Sequence, residues 1–247
     1  MNSATLPSST STSDTLPRLQ AITNPRGYSY LVSRPSDSLQ DPARRWPAIL
    51  SLHGTGERGS RVEDVARHGV PKLIQASVEL SAAERAAGEE VAARFVVIAP
   101  QCAAFEIWNE PDLLRLLDDV LAQHPIDPAQ VFVTGMSMGA FGVWMLGLRH
   151  PRRFAALVPI CGGGRITDIT ATLATDAAAL RTLGVWAFHG AKDRVVPLEE
   201  SERLVEELKR VGVSDAKLTV YPNAEHDAWS PTYSNLELYQ WMLKHKR

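Results

Sequence analysis

"VFVTGMSMGAFG", residues 131–142, is the stretch on which the reading of this chain turns. "VFVT" is apolar and β-branched, as a buried strand is, and "MGAFGVWMLGLRHP" after it reads as a helix. Between them Gly135 and Gly139 bracket Ser137. A strand, a sharp turn and a helix are the setting in which Gly-x-Ser-x-Gly exposes a serine at the strand's C-terminal edge. The alternative is a structural serine in a glycine-rich turn, and the string alone does not separate the two.

The rest of the chain does. A serine hydroxyl is a weak nucleophile at neutral pH and needs a base within hydrogen-bond reach, itself oriented by a carboxylate. The elbow arrangement requires the order serine, acid, histidine, with acid and histidine on loops after later strands. "GVWAFHG" (184–190) is followed by "AKDRVVP", which carries Asp193, and "AKLTVYP" (216–222) by "NAEHDAW", which carries His226. Ser137, Asp193 and His226 are therefore the candidate catalytic residues. Glu225 and Asp227 adjoin His226 in sequence but point elsewhere, and Asp168 and Asp176 are acids on an earlier loop. His189 reads as a buried histidine holding the acid loop, and His68, His124, His150 and His245 as solvated. Backbone donors for an oxyanion are expected at Met138, after the serine, and in "HGTGERG" after an earlier strand, at Thr55 first and Gly56 second. Trp108 and Trp229 fall near the same sheet edge, either as an aromatic wall for substrate or as packing for their loops. The side chains of Met136 and Met138 read as space-filling.

Outward from that stretch, short apolar runs alternate with helical patterns. "YSYLV" (28–32), "WPAILSLHG" (46–54), "RFVVIAP" (94–100), "QVFVTG" (130–135) and "FAALVPICGG" (154–163) join the two runs above as strands. In "NEPDLLRLLDDVLAQHP", Leu113, Leu116, Leu117, Val120 and Leu121 share one stripe, with Pro111 near the start. "LEESERLVEELKRVG" repeats the pattern with Leu198, Leu204, Val205, Leu208 and Val211 and stops at Gly212. "LELYQWMLKHK" is the last helix. The fold class is α/β, a mostly parallel sheet with helices on both faces. Residues 1–20 are expected to be a flexible Ser/Thr-rich tail and 21–247 one catalytic domain. Residues 57–93 and 164–183 are insertions after strand ends, neither apolar enough for a greasy lid.

Composition narrows the function. The 247 residues are 45% hydrophobic and 22% charged with net charge −2, and no block of like charge suggests nucleic acid or an anionic membrane as partner. Two cysteines, Cys102 and Cys161, make no disulfide framework, and two separate thiols are expected. No Cys/His ligand spacing predicts a metal. The N-terminal stretch has neither a basic segment nor an apolar run, so a cytoplasmic location is expected. Oligomeric state is not legible.

Together these residues resemble the α/β-hydrolase superfamily over residues 28 to 245. The narrower resemblance is to a carboxylesterase branch of predicted peptidase/phospholipase-type esterases, related to feruloyl-esterase-like and polyhydroxybutyrate-depolymerase-like proteins. It rests on "LHGTGERG" (52–59), "APQC" (99–102), "VTGMSMGAFGVW" (133–144), "HPRRFAALVPICGGG" (150–164), "HGAKDRVVP" (189–197) and "EHDAWSPTY" (225–233). Ala140 departs from the glycine often found there, a change in helix packing only. The resemblance implies a cofactor-free serine hydrolase of small ester substrates with Ser137 as nucleophile, Asp193 as acid and His226 as base. It names no substrate. A peptidase using the same residues, or a non-catalytic binding protein on the same fold, are the alternatives.

Overall fold

Eight strands form one sheet: β1 Gln20–Ile22, β2 Tyr30–Ser33, β3 Trp46–Leu52, β4 Val96–Pro100, β5 Ile126–Met136, β6 Ala156–Ile160, β7 Gly184–Gly190 and β8 Ala216–Tyr221. The structure, a computed structural model, describes residues 19–41, 43–75 and 78–247. The spatial order is β1-β2-β4-β3-β5-β6-β7-β8. β1 and β2 run antiparallel, as do β2 and β4, and every pairing from β4 through β8 is parallel.

The expected mostly parallel sheet with helices on both faces is what the chain forms. Alternate residues of each central strand enter opposite cores, as the period of a strand dictates. Leu50, Ile98, Val133, Leu157 and Val185 face one core. Ile49, Val97, Phe132, Val158 and Phe188 face the other. Five helices, α3 Glu110–Gln123, α4 Met138–Arg149, α5 Ile166–Arg181, α6 Glu199–Arg210 and the second-core helix α2 Ala82–Arg94, supply most of the covering surface. The first four cover the first core. α2 covers the second, with α1 Gly69–Leu73, α7 Trp229–Tyr233 and α8 Leu236–Met242. Both faces being dry explains why these strands read as unbroken apolar runs.

Local rules set the helix ends. Asn109 accepts the Asp112 N–H at the start of α3, with Pro111 in the first turn. α6 ends as expected at Gly212, whose φ of +90° lets the Val213 N–H turn back to the Leu208 carbonyl. Insertion 57–93 forms α1 and α2, the latter started by a Ser81/Glu84 capping box whose glutamate also pairs with Lys72 at 2.6 Å. Insertion 164–183 forms α5.

Some expectations need correction. The expected tail at 1–20 lies outside the described residues up to 18, but its end does not behave as tail: Gln20 opens β1. β5 starts at Ile126, four residues before the expected strand. His124, His150 and His245 are engaged rather than freely solvated: with Tyr30 Oη at 3.4 Å, Glu110 at 2.6 Å and Asp215 at 2.9 Å. Their partners come from distant segments, which polar local sequence does not reveal.

The chain order positions the site. From β3 the chain passes to β4 on one side and then to β5 on the other, so the loops after β3 and β5 lie side by side. Such a reversal opens a crevice at the strands' C-terminal ends.

Candidate active site

Ser137 sits between β5 and α4 with φ 51° and ψ −119°, backbone angles that a side-chain-bearing residue rarely adopts. The strain is held in place by hydrogen bonds. The Ser137 N–H donates to the Ile160 carbonyl at 2.9 Å, and its own carbonyl accepts from Ala140 at 2.9 Å. The flanking glycines are required by close approach: a Cβ on Gly139 would strike the Leu52 carbonyl, and one on Gly135 would lie 2.6 Å from the Gly139 carbonyl carbon. β3, β5 and α4 thus converge at backbone contact, and the serine is pushed outward, half-exposed.

His226 and Asp193 arrive from the loops after β8 and β7. His226 Nε2 lies 3.0 Å from Ser137 Oγ, and Nδ1 lies 2.7 Å from Asp193 Oδ2. With a carboxylate against Nδ1 the proton belongs on that nitrogen, leaving Nε2 to accept from the serine. Asp193 Oδ1 accepts the Val195 and Val196 N–H groups at 2.8 and 3.0 Å. Burial of this side chain would raise its pKa, but the His226 hydrogen bond and the two amides outweigh it, and the carboxyl lies below its ordinary value.

His189 holds the acid loop, as its place in the sequence suggests. It is fully buried, with Nε2 2.9 Å from the Val196 carbonyl and 3.3 Å from Asp193 Oδ2, and Nδ1 2.8 Å from Ser201 Oγ. The competing acids are elsewhere: Asp168 pairs with Arg149 at 3.1 Å, Asp176 with Arg152, and Asp227 accepts the Ser230 N–H.

Met138 is the first residue of α4, so its N–H has no carbonyl one turn back and sits at the positive end of a twelve-residue helix. Thr55 and Gly56 form a short 3-10 turn across from it, both exposed. The turn rests on a buried polar scaffold that sequence reasoning missed. Glu57 accepts the Gly54 N–H at 3.0 Å, and Gln101 Nε2 donates to the Glu57 carbonyl at 2.9 Å. His53 Nδ1 donates to the Gly54 carbonyl at 2.6 Å, while its Nε2 accepts the Cys102 N–H at 3.0 Å. Burial pulls the His53 pKa down to about 4, so the ring is neutral and can make both bonds. The only sequence signal was that "LHGTGERG" puts polar residues at the end of a buried strand.

A cleft of about 430 Å³ opens at Ser137, walled by Thr55, Ile107, Trp108, Met138, Phe141 and Met145. Trp108 is buried in that wall and donates to the His53 carbonyl at 3.2 Å. Trp229 is not in it. Its ring stands edge-on to His226 with centroids 5.5 Å apart and forms a second edge-on pair with His68 at 6.0 Å. Met136 packs in the second core.

Both cysteines are buried and free. The ligand atoms of Cys161, Asp193 and His226 lie within 4.8 Å of one another. That set suits a metal poorly. Asp193 and His226 are bonded to each other, and burial drives the Cys161 thiol up to about 12, keeping it protonated. Among the described residues, no helix is long and apolar enough to cross a membrane.

Known proteins resemble the chain in part and in whole. The model of the prolyl oligopeptidase family matches residues 171–245, a span that includes Asp193 and His226 but not Ser137. Poly(3-hydroxyalkanoate) depolymerase C of Paucimonas lemoignei is 43% identical over 67 residues, 23% of this chain and 16% of the depolymerase. Among solved structures, a thermostable esterase superposes with a TM-score of 0.68 at 26% identity, covering 94% of this chain and 64% of its own. A feruloyl esterase module from Clostridium thermocellum, bound to sinapinate, gives 0.69 at 14% identity, covering 92% and 87%. The chain thus spans about one sixth of the depolymerase and under two thirds of the thermostable esterase.

Proposed function

We propose that this chain, which has the α/β-hydrolase fold, is a serine hydrolase that cleaves carboxylic esters through an acyl-enzyme on Ser137. The observation that carries this reading is the unbroken hydrogen-bonded path from Ser137 Oγ through His226 to Asp193, with spans of 3.0 and 2.7 Å. The esterases among the structural relatives support it.

Each group has a step. Ser137 Oγ attacks the ester carbonyl carbon as His226 Nε2 takes its proton, and Asp193 stabilises the imidazolium that results. Negative charge gathers on the carbonyl oxygen, where the Met138 and Thr55 N–H groups receive it. Each such donor contributes about 10²–10³ in rate. The tetrahedral adduct then collapses. The alkoxide leaves with the proton from His226, and the acyl group stays on Ser137. Water attacks next, again deprotonated by His226, which returns the proton to Ser137 Oγ as the acid departs. The apolar wall of the cleft favours short or aromatic acyl groups.

Replacing Ser137 with Ala tests the reading against p-nitrophenyl acetate and butyrate. Hydrolysis should fall by about 10⁴-fold or more. Turnover within tenfold of wild type would rule the mechanism out.

One observation favours a second reading, a serine peptidase using the same residues: the prolyl oligopeptidase match over 171–245. A peptidase would hydrolyse matched p-nitroanilides at a readily measured kcat/KM, although below that of the intrinsically more reactive p-nitrophenyl esters. An esterase would leave the anilides nearly untouched.

A further inference from the structure

We propose that the cleft at Ser137 is an acyl site, so that the protein selects esters by a neutral, apolar acyl group and leaves the alcohol half unselected. The inference rests on the ester-hydrolase reading and adds which half of the ester the protein recognises.

Proton transfer orients the substrate. The leaving oxygen must receive its proton from His226 Nε2, so the alcohol half lies on the imidazole's side of Ser137. The carbonyl oxygen points at the Met138 and Thr55 amides. The remaining substituent, the acyl chain, extends away from His226. The cleft occupies that direction: it is built on Thr55, Met138 and the α4 face bearing Phe141 and Met145, and His226, Asp193 and Trp229 are absent from its wall. Phe141 and Met145 are four residues apart on one helix, hence on the same face.

Among the described residues, the space beside the imidazole is far smaller than the cleft. Trp229 is packed against His226 and His68, and the space beside it, lined by His68, Lys72, Glu84 and Tyr233, is about 10 Å³. That is barely one water. Glu225 and Asp227, flanking His226, are exposed, so an alcohol group there would stand largely in solvent.

Lining chemistry sets the acyl class. Among the described residues, those lining the cleft are uncharged, and a carboxylate or ammonium placed against them would lose hydration without gaining a partner. Its volume, about 430 Å³, is well above the ~150 Å³ of an apolar cavity that takes up benzene. Aryl and short to medium alkyl acyl groups therefore fit, and longer ones emerge past Ile107 and Phe141, which are 73% and 43% exposed at the mouth.

Two ester series on the wild-type protein test this by pH-stat. One varies the acyl group at constant alcohol: acetyl, butyryl, hexanoyl, benzoyl and the charged succinyl. The other holds butyryl and varies alcohols of similar acidity: methanol, butanol and cyclohexylmethanol. We expect kcat/KM to span at least about 30-fold across the first, with succinyl lowest, and under about threefold across the second, given that one methylene in a fitted pocket is worth about 10-fold or more. Met145→Trp, which fills the cleft, should lower the hexanoyl-to-acetyl ratio of kcat/KM about tenfold. Ile107→Trp, on an exposed loop, should lower it in the same direction and stands in if the first variant misfolds. Selection on the alcohol, or an unchanged acyl ratio in a folded variant of either kind, overturns the inference while leaving the esterase reading intact. Absence of hydrolysis across both series overturns the esterase reading and the inference with it.

Discussion

Asp193 is the residue whose surroundings leave it least freedom. Oδ1 is held by two backbone amides, and Oδ2 faces the His226 and His189 nitrogens. Consider Asp193→Asn. The amides can only donate, so the asparagine oxygen must stay with Val195 and Val196 and its NH₂ must turn to His226. Nδ1 would then have to accept, moving the imidazole proton to Nε2 and removing the base. The expected result is a fall of about 10²–10⁴ in kcat for p-nitrophenyl acetate with the fold intact by circular dichroism, as tautomer reversal costs in Ser-His-Asp triads. Near-normal turnover in the folded variant would mean that Asp193 does not orient His226. The grouping of this residue with His226 and Ser137 was legible in the sequence because the elbow dictates chain order and loop placement. His53 and Glu57 were not. Their hydrogen bonds bind the turn that presents Thr55, and the His53 partner, Cys102, is 49 positions away.

At the scale of elements, β3, β5 and α4 meet at glycine backbone, and that contact is what lifts Ser137 into solvent. Gly139→Ala therefore sets two effects against each other. Alanine favours a helix by about 1 kcal/mol. Its Cβ, however, would strike the Leu52 carbonyl, and overpacking of that kind costs about 1–3 kcal/mol or more. The clash should win, lowering Tm by a few degrees for a chain of this size, and a raised Tm would show that the three elements do not meet so closely. The central strands and α3 and α6 were readable because two dry sheet faces demand apolar runs and one-sided helices demand stripes. β1 was not: it has three residues, lies at the sheet edge and is mostly exposed, so it carries no burial pattern.

For the whole molecule, one buried ring makes a large contribution to acid sensitivity. His53 titrates near 4 when folded against about 6.5 unfolded, because burial penalises its charge. The unfolded chain thus binds the extra proton. Stability is complete above pH 6.5 and is lost at up to ~1.4 kcal/mol per unit as pH falls toward 4, roughly 3 kcal/mol in total. His124, also depressed by burial, adds to the same window. Asp193, Glu110 and Glu84 lie below their ordinary values and weigh in at lower pH. Thermal unfolding between pH 7 and 4.5 should show Tm falling by several degrees, with a shallower slope in His53→Gln. An identical slope in that variant would place the acid sensitivity elsewhere. None of this was readable in advance, since "LHG" does not say that its histidine points inward between two loops.

The central claim is that Ser137 is the activated nucleophile. Incubation with a fluorophosphonate probe, followed by intact-mass measurement and peptide mapping, tests it directly. The account predicts one adduct per chain on Ser137, none in Ser137→Ala, and much slower labelling in His226→Gln. Labelling that persists in Ser137→Ala, or that maps to another residue, would contradict it.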